Sequence, residues 1–273
     1  MLDFSTPEYI RGARCERYMW LTEHKPETRR VPAEILLSDE ESGITLKAMD
    51  LFAPYEIVEY YSDAGTMIHN TGALLCENVK VIRGAMFGNK RDYECSVDIL
   101  INHGNKCVDI VETGTKCEML PKYLDAAAYN TWVLRQHGYT VRKAAVVHPN
   151  SGCISKKQGK ADIRRMFAQE NVTKEVNAMQ AEVGRIAPRL RAVLEQEEEP
   201  TTPYRAECGN CCCRRHCSGS WWDGERASEL TGPFCLGCGR ILKYIDGAYK
   251  CLHEDCSRQG KPQNGYYTNG LYD

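Results

Sequence analysis

The chain has no apolar run near the roughly 20 residues that a membrane-crossing helix needs. Its first ten residues, MLDFSTPEYI, carry neither a basic flank nor an apolar stretch, so no secretory signal is expected. The expected location is cytoplasmic, without membrane association. Charge of one sign is also missing: 35 Lys and Arg face 37 Asp and Glu, a formal net charge of −2. Bulk charge therefore does not advertise nucleic acid, and any basic surface must be local. The sequence has no internal repeat and no low-complexity tract. What remains is ordinary globular composition, 42% hydrophobic and 26% charged in 273 residues. A body of roughly 200 residues can bury a core of its own.

Cysteine is the residue present in excess. There are 15 in the chain, and Cys208, Cys211, Cys212, Cys213, Cys217, Cys235, Cys238, Cys251 and Cys256 crowd its last quarter. A cytosolic chain cannot rely on disulfides, so thiols at short spacings read as metal ligands. Three segments are expected: a core over residues 1–200, a cysteine-rich segment over 201–231 and a small module over 232–273.

Element signals order the core. Ser5, Pro7 and Glu8 start a helix expected to run to about Leu21, where Lys25-Pro26 stops it. Helices follow over 40–52 and 64–76. The apolar period then changes from about 3.6 to 2, giving strands over 79–87, 93–101 and 107–112. Turn chemistry at Gly88-Asn89 and at 102–105 joins them as an antiparallel meander. A helix over 123–137 stopped by Gly138, a strand over 141–148, and helices over 162–169 and 173–196 complete an α/β core.

Two carboxylates stand out in that core. Asp98 interrupts the apolar strand Ser96-Val97-Asp98-Ile99-Leu100, and Glu112 ends Asp109-Ile110-Val111-Glu112. A carboxylate is rare inside a buried strand unless paired or holding a metal. On adjacent strands the two can converge on a hard divalent cation, to which Glu41 could add a third oxygen ligand. The alternative is a pair of strand-edge residues facing solvent.

The helix, three strands, helix, strand order with Asp98 and Glu112 resembles the PD-(D/E)XK nuclease superfamily. Arg14-Cys15-Glu16-Arg17-Tyr18-Met19-Trp20-Leu21, Val81-Ile82-Arg83-Gly84-Ala85-Met86-Phe87, Tyr123-Leu124-Asp125 and Val146-Val147-His148-Pro149-Asn150 are similar to its RecB-like branch. That branch includes the CRISPR-associated RecB-like iron–sulfur exonucleases. The resemblance implies a mixed sheet flanked by helices and cleavage of DNA with Mg²⁺ or Mn²⁺, usually from single-stranded or free ends. It assigns Asp98 and Glu112 as metal ligands, with Glu41 or His69 at the helix position. The sequence departs from the motif where Glu-x-Lys should stand: Glu112-Thr113-Gly114 places glycine at the lysine position. Lys116 follows two residues later, on the same face if the strand continues, and Asn130 replaces the expected glutamine. If the site has decayed, Gly114→Lys should raise activity. A pseudonuclease that binds DNA or a nuclease partner without cutting is the alternative, and a protein-docking scaffold a third reading.

The first cysteine cluster, Cys208-x2-Cys211-x5-Cys217, is one ligand short of a closed site. In the RecB-like exonucleases an early cysteine, here Cys15, completes such a layout around a [4Fe–4S] cluster; zinc uses the same ligands. Cys212, Cys213 and His216 are then spare. The second cluster, Cys235-x2-Cys238-x12-Cys251-x4-Cys256, reads as a zinc ribbon with a hairpin around Asp246-Gly247. Arg240, Lys243, Lys250, Arg258 and Lys261 interleave with Tyr244, Tyr249, Tyr266 and Tyr267. That mixture suits single-stranded nucleic acid, a structural or protein-docking ribbon being the other reading.

Overall fold

The computed structural model describes residues 3–28, 39–61, 63–88, 93–150, 163–203, 205, 208, 211–218, 243–245, 248–252 and 259–261. The chain divides into two compact units, one built from residues 1–16 and 37–197, the other from 17–36 and 198–273.

The first unit is α/β, a six-stranded mixed sheet flanked by helices. Strands β1 (Glu56–Ile57), β2 (Val81–Gly88), β3 (Glu94–Asn102), β4 (Cys107–Thr113), β5 (Thr140–Pro149) and β6 (Phe167–Asn171) lie side by side in chain order. The β2-β3-β4 meander is antiparallel, as its turn chemistry predicts. β4 and β5 run parallel, which requires a crossover between them, and α5 (Pro121–Gln136) supplies it. At the C-terminal end of that helix Gly138 takes φ +78, a left-handed turn that glycine adopts without steric cost.

Alternation along the strands sorts side chains to two faces. Ile99, Val111, Ala145 and Val147 form one face and pack with Ala48 and Met49 of α3 (Asp39–Met49). α5 covers the other face and is backed by α1 (Thr6–Arg14) and α7 (Thr173–Glu195). Tyr9 of α1 stacks on Tyr129 of α5 at 4.6 Å between ring centroids. α4 (Ala64–Cys76) is capped by Asp63, whose side chain accepts from Thr66 N.

Three sequence expectations are corrected. The first helix is two helices, α1 and α2 (Glu16–His24), because Cys15 between them is extended at φ −162, ψ 115. The stretch read as one helix over 162–169 is a single turn, α6 (Ile163–Met166), followed by β6, whose residues pair with β5 from Ala145↔Asn171 to Pro149↔Phe167. β4 ends at Thr113, so the residues after it do not continue the alternation that would have carried Lys116 onto the Glu112 face.

In the second unit Trp20 and Leu21 of α2 bury against Cys213, which is fully enclosed. α8 (Arg214–Ser218) follows the thiols. Further along, β7 (Lys243–Ile245) and β8 (Ala248–Lys250) form the expected antiparallel hairpin, with Tyr244 opposite Tyr249. No helix is long and apolar enough to cross a membrane among the described residues.

Candidate functional site

The β3-β4 register runs Ile99↔Val111, Leu100↔Ile110 and Ile101↔Asp109. Just past the last paired positions, Ile99 and Val111, stand Asp98 and Glu112 on neighbouring strands, near enough for the Asp98 charge to act on the Glu112 carboxyl. Glu112 is on the face covered by α5. Register on the sheet therefore brings two carboxylates together without help from any loop.

Each is held by named donors. Asp98 Oδ2 accepts from Thr113 N at 2.7 Å and from Thr113 Oγ1 at 2.6 Å. Glu112 Oε1 accepts from Asn130 Nδ2 at 2.8 Å, and the same amide nitrogen donates to Ser96 O at 2.8 Å. Thr6 Oγ1 donates to Asn130 Oδ1 at 2.6 Å, so both amide donors and one acceptor position are used and three partners fix the orientation. Asn130 is fully buried, and Glu112 is 6% exposed. Burial pushes the Glu112 carboxyl well above its ordinary range, and the Asp98 charge adds to this against the hydrogen bond from Asn130. Burial also raises Asp98, opposed by its two bonds from Thr113 and by the charge of Arg83. Two like charges on neighbouring strands, Asp98 half-buried and Glu112 buried, are a costly arrangement that a cation or a shared proton relieves. Oxygen donors of this kind suit a hard divalent ion.

The lysine position is filled in an unexpected way. A Cβ added to Gly114 would lie 2.7 Å from Tyr123 Cε2, 2.8 Å from Tyr123 Cζ and 3.2 Å from His148 Cβ. The ring of Tyr123, from the first turn of α5, thus occupies the volume a side chain at 114 would enter. Gly114 N donates to Val147 O at 2.7 Å, keeping this residue against β5 although the strand has ended. Tyr123 Oη accepts from Thr115 N at 3.0 Å and from Lys116 N at 3.2 Å. Lys116 itself is exposed, in a bend three residues beyond the end of β4.

The remaining expected residues fall elsewhere. Glu41 lies on α3, and its side chain is outside the described residues. His69 is on α4. Thr6, Thr113 and Tyr123 are contributors that sequence reasoning missed. Thr113 had one signal, its place between Glu112 and Gly114; Thr6 and Tyr123 are assembled by tertiary packing.

Of the first cysteine set, Cys15 belongs to the first unit, at the junction of α1 and α2, and Cys208, Cys211 and Cys217 to the second. Within the second unit the sulfurs of Cys211, Cys212 and Cys213 lie within 4.8 Å of one another. The residues read as spare, Cys212 and Cys213, are thus in the converging group, with their sulfurs 3.9 Å apart. Four sulfurs bonded at about 2.3 Å to a tetrahedral ion stand about 3.8 Å apart. The donors therefore fit a thiophilic metal ion, of unspecified identity. Hydrogen bonding to Cys212 is the largest influence on the Cys211 thiol, which is pushed up to about 12. His216 was also read as spare. Its Nε2 lies 2.9 Å from Glu199, whose carboxylate also receives Arg17 Nε at 2.6 Å and Lys25 Nζ at 2.9 Å. Burial raises the Glu199 carboxyl, but bonds from Lys25, His216 and Arg17 outweigh it and bring it down to about 2. Of the second set, Cys251 is buried and bridges to Gln259, while Cys235, Cys238 and Cys256 lie outside the described residues. So do Arg240, Arg258, Tyr266 and Tyr267.

No protein-family model and no curated protein matches the chain. Among solved structures it is similar to one described as "Crystal structure of SSO0001", at 12% identity and a TM-score of 0.35 over 77% of this chain and 82% of that one. A likeness at that score fixes neither fold family nor activity.

Proposed function

We propose that the protein is a metal-dependent DNA nuclease of the RecB-like PD-(D/E)XK kind, acting on DNA ends. The carrying observation is the pairing of half-buried Asp98 with buried Glu112 on the neighbouring strands β3 and β4, bonded by Thr113 and Asn130. Mg²⁺ or Mn²⁺ bound there would polarise a phosphodiester and lower the pKa of water. The chain's own residues hold the two carboxylates at a fixed separation, exclude solvent from Glu112 and keep one Asn130 donor on its Oε1. In this reading the cysteine-rich segment is a metal-held module, with a [4Fe–4S] cluster on Cys15, Cys208, Cys211 and Cys217. The C-terminal piece is a zinc ribbon on Cys235, Cys238, Cys251 and Cys256, bringing Lys and Tyr side chains to single-stranded DNA.

The test is cleavage of end-labelled DNA by the full chain with Mg²⁺ or Mn²⁺. Asp98→Ala is expected to abolish it; an Asp98→Ala chain that cuts as fast as wild type ends the reading. One observation favours a second reading, a pseudonuclease that binds DNA ends without cutting: no lysine side chain can stand at 114 while the Tyr123 ring is there. Retained end-binding with no cleavage under any metal would select it.

A further inference from the structure

We infer that Tyr123 is a positioning residue of the carboxylate site, clamping the turn that carries Lys116 to the end of β4. The inference rests on the nuclease reading and adds to it the group that holds the backbone turn after Glu112.

Three observations converge. First, Gly114 is required by the ring: any Cβ there would sit 2.7 Å from Tyr123 Cε2, well inside contact distance. Glycine at the motif position and tyrosine at 123 are therefore two halves of one arrangement. Second, the Tyr123 hydroxyl accepts from two successive backbone amides, Thr115 N and Lys116 N. A phenol oxygen has this acceptor capacity, and phenylalanine would fill the same space without it. Third, the ring is well fixed at its other end. Tyr123 is 7% exposed, and its helix α5 also carries Asn130, the donor to Glu112. One rigid helix thus holds both a carboxylate, through Asn130, and the backbone of the turn after it, through Tyr123. Loss of the motif lysine by simple decay gives no reason for a buried tyrosine to take its volume and bind the next two amides.

Tyr123→Phe keeps the ring and removes the acceptor. Two lost hydrogen bonds at about 0.5–1.5 kcal/mol each correspond to a rise in turn opening of roughly 5- to 150-fold. Two readouts follow. Trypsin should release the fragment ending at Lys116 about tenfold faster from Tyr123→Phe than from wild type, with little change in Tm. DNA cleavage should fall in Tyr123→Phe, but Tyr123→Phe should cost nothing further in a Lys116→Ala background. A purely structural tyrosine would lower cleavage equally in both backgrounds. Unchanged trypsin cutting at Lys116, or additive losses in the double variant, overturns the inference. A wild-type chain that cuts no DNA sinks the nuclease reading and the positioning role with it, and trypsin then decides the clamp alone.

Discussion

The carboxylate pair and the thiol group are assembled by opposite means. Asp98 and Glu112 are placed by strand register, on elements whose hydrogen bonds and packed faces exist without any ion. Their separation is a property of the sheet. Cys211, Cys212 and Cys213 are consecutive residues in a turn ahead of the five-residue α8, with Cys211 N on Cys208 O at 3.1 Å and Cys217 N on Cys213 O at 3.1 Å. Among the described residues its anchors include the Trp20 and Leu21 contacts of Cys213 and the Glu199 clip on His216. A frame so short leans on its metal, whereas a sheet does not.

Stripping metal should separate the two most widely. Binding to thiolates supplies folding free energy of order 10 kcal/mol in small metal-held modules. A strong chelator is therefore expected to expose residues around 208–217 to protease while the amides of β3 and β4 stay protected from hydrogen exchange. Because the thiols must lose protons to bind, and Cys211 is pushed up to about 12, acid should release the metal progressively. Equal loss of protection in β3 and β4 would show that the sheet site also depends on an ion.

The same contrast explains what the sequence made legible. The meander, α4 and the Asp98 and Glu112 positions followed from local period and turn residues, since a strand's pattern and its register are coupled. β6 was not legible: Phe167, Ala168, Gln169, Glu170 and Asn171 have no strong strand pattern, and pairing with β5 decides their state. The break at Cys15 was hidden because apolar spacing continues through it into Met19 and Trp20. In the cysteine segment, spacing named Cys208, Cys211 and Cys217, but the tight turn gathers Cys212 and Cys213, which spacing rules treat as filler. The Tyr123 ring at Gly114 needs the eight intervening residues, 115–122, to fold back, a contact no local rule reports.

Gly114→Lys sharpens the site side of the comparison. The sequence alone suggests it should repair a decayed motif. With Tyr123 in place, overpacking costs typically 1–3 kcal/mol, so the single variant is expected to lose stability by about that much and to gain no activity. Gly114→Lys with Tyr123→Ala removes the obstructing ring and should recover cleavage relative to Gly114→Lys alone. Thermal melts and end-labelled DNA assays of the two variants check this; a gain from the single variant would mean that the ring moves aside.

The smallest expected effect isolates the cost of the paired carboxylates. Glu112 is buried and raised well above its ordinary range, so folding without metal favours its protonated form. For a raised acid, the wild-type fold is unpenalised below the unfolded value, near 4.3, and loses stability as pH rises from there toward the folded value. Glu112→Gln keeps an oxygen to accept from Asn130 Nδ2 and removes the charge that faces Asp98. The metal-free variant should therefore be more stable than wild type at neutral pH, read as a higher Tm. The gain should vanish near pH 4, where the wild-type carboxyl is protonated in both states. Added Mn²⁺ should reverse the order, because a cation stabilises the wild-type pair and finds one ligand fewer in Glu112→Gln. A variant less stable than metal-free wild type at neutral pH would mean that the sheet holds the two charges at no cost, and that an ion has no strain there to relieve.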